Sequence, residues 1–90
     1  MLQIKYKNIF DKDVARAKKR GKNIEKLKQV IRLLVEESPL PPSFRDHALI
    51  GNYKDRRECH IEPNWLLIYK KEIGTIIFER TGTHSDLFNS

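Results

Sequence analysis

Three prolines fall within four residues, Pro39, Pro41 and Pro42 in the stretch SPLPPSF, and they limit what the chain can become. Proline lacks the amide donor that a helix interior or a central strand needs, so neither element can run through this point. Residues 38 to 46 are therefore expected as a stiff connection. The hydrophobic period differs on its two sides. Before it, Phe10, Val14 and Ala17, then Ile24, Leu27, Val30, Ile31, Leu34 and Val35, recur at helical spacing. After it, residues 56 to 62, 65 to 71 and 75 to 81 read as strands, separated by Pro63-Asn64 and by a turn at Gly74. Both joints are too short for crossovers, so these strands form an antiparallel meander.

The N-terminal LQIKY alternates with period two, placing Leu2, Ile4 and Tyr6 on one side of a further strand. Asn8 is expected to cap the first helix, with Asp11 in its first turn. The basic run KKRGK ends that helix, and Gly21 offers a left-handed cap. Asn23 caps the second helix. The order β-α-α-β-β-β predicts an α+β fold, with a helical hairpin packed on one face of a small twisted, mainly antiparallel sheet. The other face is left free. Ninety residues suit a single domain spanning 1–90.

Eighteen Lys and Arg against twelve Asp and Glu give a net charge of +6, which suits a polyanionic partner. Nucleic acid, an anionic membrane surface and an acidic protein all qualify. The hairpin is the most basic part, with Arg16, Lys18, Lys19, Arg20, Lys22, Lys26 and Lys28. Such a run is either a solvated helix face or an electrostatic footprint for RNA. WLLIY is far too short to cross a bilayer, and lysines interrupt the N-terminal apolar residues, so a cytoplasmic protein without a membrane partner is expected. The single cysteine, Cys59, rules out an intrachain disulfide and reads as a small buried residue.

Three histidines could carry chemistry: His47, His60 and His84. None stands at zinc-site spacing, so neither metal nor cofactor is expected. Taken singly, each is an ordinary surface residue. His60 ends the first strand of the meander, His84 follows the last strand and His47 sits on the loop entering the sheet, so side chains from distant sequence converge at one sheet edge. Arg80, which shares its strand parity with Ile76 and Phe78, lies close by, as do Trp65 and Phe88. Histidine, arginine and aromatic rings suit metal-free cleavage of RNA by the substrate's own 2′-hydroxyl. Histidines can take and give the protons, arginine can hold the phosphorane charge, and rings can hold bases. The consecutive His84, Ser85 and Asp86 cannot supply the converging geometry of a hydrolase triad.

Three motifs carry a resemblance. They are DH-x-L-x-G from Asp46 to Gly51, R-x-x-H-x-EP-x-W from Arg57 to Trp65, and R-x-G-[ST]-H-x-x-LF from Arg80 to Phe88. In order and spacing the chain closely resembles the YafQ-type toxins of the RelE/ParE superfamily along nearly its whole length. The resemblance implies a ribosome-dependent mRNA endonuclease of a type II toxin–antitoxin system, acting in the ribosomal A site to arrest translation. It implies a cognate acidic antitoxin of the ribbon-helix-helix, DinJ-like type, through which alone operator DNA would be contacted. The implied catalytic set is His47, His60, Arg80 and His84. His84 and His60 would share acid and base work, and His47 would assist. Trp65 and Phe88 would position the nucleotide, with Lys54, Arg56, Arg57 and Asn64 lining the cleft. Members of this group typically carry EPDW where this chain has EPNW, so Asn64 departs from the pattern and cannot ionise. Two alternatives remain at this point: a gyrase poison with the same fold, and a catalytically weakened RNA-binding homologue.

Overall fold

One five-stranded sheet organises the chain, in the order β1-β5-β4-β3-β2. The computed structural model describes residues 1–88. Its elements are β1 (Gln3–Tyr6), α1 (Asn8–Lys19), α2 (Ile24–Val35), β2 (His47–Ala48), β3 (Arg57–Glu62), β4 (Trp65–Glu72), β5 (Thr75–Gly82) and α3 (His84–Phe88). Short 3₁₀ turns occupy Pro42–Phe44 and Gly51–Tyr53. The expected meander is present, with β3, β4 and β5 antiparallel, and β1 joins it parallel to β5. Among the described residues no helix is long and apolar enough to cross a membrane.

The helical hairpin lies on one face of the sheet. Phe10, Ala17, Leu27, Val30, Leu34 and Val35 pack against Cys59, Ile61, Trp65, Leu67, Tyr69, Ile76 and Phe78. Each fully buried aliphatic or aromatic side chain contributes about 1.5–3 kcal/mol, so this layer is the main source of stability. Tyr6, Phe10 and Phe78 stack at centroid distances of 5.6 to 6.1 Å and fasten β1 and α1 to β5. Gly21 takes a left-handed φ of 81° between the helices, and the Asn23 side chain accepts the Glu25 amide at 3.0 Å, both as expected. Asn8 does not cap α1. Lys7 holds the cap position in extended backbone, without a side-chain bond, and Asn8 begins the helix.

The second face is only partly bare. Leu66 and Ile68 are buried there beneath Leu87 of α3, with Leu49 and Tyr53 alongside. That is why WLLIY reads as an unbroken apolar run: β4 is central and covered on both sides. The segments that build this second layer, α3 and the stretch from β2 through the Gly51–Tyr53 turn, are absent from the sequence expectation. His47, expected in a loop, begins β2 and pairs with Glu58 of β3.

The hairpin's basic residues serve mostly as internal ties. Lys22 and Lys26 reach Glu62 at 3.0 and 2.9 Å, and Arg20 reaches Asp86 at 2.6 Å. Arg16 binds Asp13 at 2.9 Å, and Lys28 lies 3.6 Å from Glu25. Among the described residues of this group, Lys18 and Lys19 are left for solvent or an outside partner.

Candidate active site

The three histidines stand in a row on the face opposite the hairpin. His47 and His60 have ring centroids 6.2 Å apart, and His60 and His84 are 5.9 Å apart. Phe88 extends the row 6.5 Å beyond His84, and Tyr53 meets Phe88 edge-on at 5.5 Å. Strand pairing accounts for the first half of this row. His47 opposes Glu58, and His60 lies two residues further on the same face of β3. His84 arrives from the end of β5, where Thr83 and Asp86 form a reciprocal helix cap. The Asp86 amide donates to Thr83 Oγ1 at 3.1 Å, and the Thr83 amide donates to Asp86 Oδ2 at 2.9 Å. Hydrogen bonding by Arg20 is the main cause that holds the Asp86 carboxyl well below the usual carboxylate range.

Each ring has its Nδ1 against an oxygen. His47 Nδ1 is 2.6 Å from the Arg45 carbonyl, and His60 Nδ1 is 3.3 Å from the Pro63 carbonyl. A carbonyl oxygen can only accept, so both Nδ1 atoms carry hydrogen. His84 Nδ1 is 2.6 Å from Asn64 Oδ1, and the same oxygen accepts the His84 backbone amide at 3.1 Å. The backbone amide can only donate, which identifies the Asn64 atom as oxygen and the ring nitrogen as a donor. In the neutral form all three imidazoles therefore present Nε2 as the lone-pair nitrogen. Glu58 lies between two of them, its Oε1 3.4 Å from Nε2 of both His47 and His60.

Arg80 reaches the same face through a bulge. Ile68 pairs with Arg80 but Tyr69 pairs with Phe78, so Glu79 is an extra residue in β5. The parity expected for Arg80, shared with Ile76 and Phe78, is thereby reversed. Arg80 takes the parity of Ile68, while Thr81 turns into the hairpin core. Two strand spacings, roughly 10 Å, separate Arg80 from Glu58 across Ile68. Its guanidinium is held by Asp13, Nε to Oδ2 at 2.8 Å and Nη2 to Oδ1 at 3.2 Å, and that hydrogen bonding raises the Arg80 pKa. Asp13 also accepts the Thr81 amide at 3.1 Å. The strand β1 ends at Tyr6, opposite Phe78, so a side chain from α1 takes the amide that a longer strand would have taken.

Two expected residues lie elsewhere. Trp65 is 1% exposed, on the hairpin side, and donates from Nε1 to Thr81 Oγ1 at 2.9 Å. A ring so enclosed packs the core, which corrects the expectation that it positions a nucleotide. Arg57 shares the parity of Cys59 and Ile61 and pairs with Asp46 at 3.3 Å, an oxygen that also takes the Tyr69 hydroxyl at 2.6 Å. Bonding to Asp46 raises the Arg57 pKa, and burial with the same partner raises that of Tyr69. Arg57 is thus a structural anchor on the hairpin side and not a cleft residue. Arg56 binds Glu79 through Nε at 3.1 and 3.2 Å, and Lys54 and Phe88 are exposed.

Sequence reasoning missed Glu58, Tyr53 and the cap at Thr83. A strand places residues two apart on one face, so Glu58 could have been read from His60. The capping pattern [ST]-x-x-[DE] is explicit in Thr83-His84-Ser85-Asp86.

A helical hairpin on one face of a mixed sheet, with titratable side chains gathered on the other, is the design of a RelE-like toxin domain. Residues 2–89 match the family described as bacterial toxin of type II toxin–antitoxin system, YafQ, and the chain belongs to that family. The mRNA interferase toxin YafQ of Escherichia coli K12 is 46% identical over 86 residues, which cover 94% of each chain. The toxin in the E. coli DinJ–YafQ toxin–antitoxin complex superposes with a TM-score of 0.90 at 45% identity, covering 97% of both chains. A metal-bound toxin from Helicobacter pylori gives a TM-score of 0.92 at 41% identity, over 98% of this chain and 100% of that one.

Proposed function

We propose that this protein is an mRNA interferase, an endoribonuclease that cuts messages on the ribosome and so arrests translation in the cytoplasm. The observation that carries the reading is the histidine row, with each Nδ1 held by an oxygen and each Nε2 left as the free ring nitrogen. The 2′-oxygen of the substrate attacks the adjacent phosphorus. One imidazole Nε2 takes the 2′ proton, and another, protonated, gives a proton to the 5′ oxygen as its bond to phosphorus breaks. His84 and His60 share these roles, while His47 assists. The Asp13 pair uses Nε and Nη2 of Arg80, leaving Nη1 to meet the charge on the phosphorane oxygens. Phe88, 39% exposed at the end of the row, offers a face for a base. Two proton carriers and an arginine suffice for this chemistry, so the reaction needs no metal.

The relative solved with DinJ supports an antitoxin as the second partner. A small acidic protein that binds this basic chain would hold it inactive until translation is to be stopped. No observation favours a gyrase poison.

The reading is tested by mRNA cleavage in a cell-free translation system, comparing the parent chain with His84→Ala. Cleavage by the parent, reduced at least a hundredfold by the substitution, is the expected result. An intact message at saturating protein, with translation running normally, would sink the proposal. Equal cleavage by both chains would keep the nuclease and remove His84 from its mechanism.

A further inference from the structure

Asp13 of α1 is 2% exposed, and its carboxylate collects donors from two helical turns and a strand. Oδ2 accepts Arg80 Nε at 2.8 Å and the Thr81 amide at 3.1 Å. Oδ1 accepts Arg16 Nη2 at 2.9 Å and Arg80 Nη2 at 3.2 Å. A carboxylate offers about four lone-pair sites, so this one is saturated. A charge so enclosed is held in one place, and it holds its partners in turn.

Two features separate this contact from an ordinary tie between a helix and a strand. The first is the side of the guanidinium that Asp13 takes. It grips the Nε–Nη2 side and leaves the Nη1 hydrogens uncommitted, while the Arg80 side chain keeps 19% of its surface exposed. The second is what else α1 holds. Asp13, Arg16 and Arg20 follow at i, i+3 and i+7 and so share one stripe of the helix. Asp86 Oδ2, in the cap of the helix that carries His84, lies 2.6 Å from Arg20 Nη1 and 3.6 Å from Arg16 Nη2. One face of α1 thus grips Arg80 directly and His84 through Asp86. Gly82, between the two, leaves no room for a Cβ, which would stand 2.9 Å from Asp86 Oδ2 and 3.0 Å from Arg16 Nη2.

We propose that Asp13 is a positioning residue of the RNA-cleaving centre: it fixes the Arg80 guanidinium with Nη1 free for the scissile phosphate, at a spacing from His84 that α1 itself sets. It touches no substrate, and its role rests on the RNase reading above. Without Asp13 the long Arg80 side chain keeps its charge but has to be ordered anew at each encounter with phosphate, which slows the reaction. Lysine cannot take the place of Arg80, because only a planar fork can be held on one side and act from the other.

Asp13→Asn changes one oxygen to an NH2 group, which opposes the Arg80 and Arg16 donors instead of accepting from them. In message cleavage at saturating substrate this variant is expected to be about ten- to a hundredfold slower than the parent, with KM changed less than about threefold. Arg80→Ala should lose at least as much. The double variant separates positioning from structure. Adding Asp13→Asn to Arg80→Ala should slow cleavage by no more than about twofold further, because no guanidinium is left to position. Losses that multiply in the double variant would make Asp13 an anchor of α1 alone and overturn the proposal.

Circular dichroism and urea titration confirm that each variant is folded. If Asp13→Asn is not, Arg80→Lys carries the test with Asp13 intact. Its single ammonium goes to Asp13 and leaves the phosphate unmet, so a loss as large as that of Arg80→Ala is expected. Cleavage by Arg80→Lys within about threefold of the parent would overturn the proposal. Parent-like cleavage by folded Asp13→Asn would likewise remove Asp13 from the mechanism and leave the nuclease standing. A parent chain that never cleaves would overturn the RNase reading, and the role of Asp13 with it.

Discussion

Asn64 shows how one atom can decide the protonation pattern of a site. Its Oδ1 takes two donors from His84, the backbone amide and ring Nδ1. The first fixes which atom is oxygen, and the second then fixes the tautomer. The work expected of an aspartate at this position, orienting a histidine, is within reach of an asparagine carbonyl. Asn64→Asp is therefore expected to change message cleavage by less than about threefold. Removal of the oxygen in Asn64→Ala should lower turnover on the order of ten- to a hundredfold, a part of what acid–base catalysis supplies. Single-turnover cleavage separates the two, with KM little changed in both, because Asn64 acts on the ring and not on the substrate. A large gain from Asn64→Asp would mean that a carboxylate is needed and that this chain is weakened. Cys59 illustrates the opposite case, a reactive residue type silenced by its surroundings. It is fully buried, and burial pushes its thiol up to about 12. Alkylation by iodoacetamide at neutral pH should therefore be negligible in the native chain and complete in denaturant, as mass spectrometry would show.

At the scale of elements, α3 matters out of proportion to its length, because it carries His84 and Phe88 and roofs the second core. Its anchorage is Asp86, which receives the Thr83 amide and Arg20. The depressed carboxyl has a definite consequence for pH. A group whose folded pKa is lowered stabilises fully above its unfolded value, and that contribution fades as pH falls through the folded one. Asp86→Asn should thus lower the unfolding free energy from urea titration at pH 7 by roughly 1 kcal/mol for the cap, a gap that is full above about pH 4 and narrows progressively as pH falls below it. A constant difference down to pH 2 would contradict this. Gly82 guards the same joint. A Cβ there would lie 2.9 Å from Asp86 Oδ2 and 3.0 Å from Arg16 Nη2, so Gly82→Ala is expected to cost about 1–3 kcal/mol by overpacking. Thermal unfolding would register it. The long elements were legible in the sequence because each displays many turns of its period: α2 has a complete apolar stripe, and β5 begins where expected and ends one residue later. The two-residue β2 and five-residue α3 carry no period to read. The bulge at Glu79 was equally hidden, since alternation cannot reveal where it breaks. Hence the three histidines, fixed by strand ends, were placed together from sequence. Arg80, Arg57 and Trp65 were not correctly oriented, because their faces depend on register and burial.

The whole molecule is divided by its sheet into a structural side and the side that carries the proposed active site, the working side. On the first lie the hairpin, Trp65 and the Arg57–Asp46 pair; on the second lie the histidine row, Arg80 and Phe88, with Lys54 exposed in the loop that follows Tyr53. This division changes the meaning of the +6 charge. Most cations of the basic hairpin are spent on Asp13, Asp86, Glu25 and Glu62, which bind the hairpin to itself, to α3 and to β3. They stabilise the fold and have little left for phosphates. If RNA meets the working side, Lys54 should contribute a phosphate contact, while the freer hairpin pair Lys18 and Lys19 should not. Each phosphate neutralised on a single strand adds about 0.7 to the slope of log affinity against log salt. Measured with a short single-stranded RNA, Lys54→Gln is expected to lower that slope by about 0.7. The double variant Lys18→Gln/Lys19→Gln should leave it unchanged within error. The reverse result would place RNA across the hairpin, with the histidine row facing away from its substrate, and the mechanism built on that row would have to be abandoned.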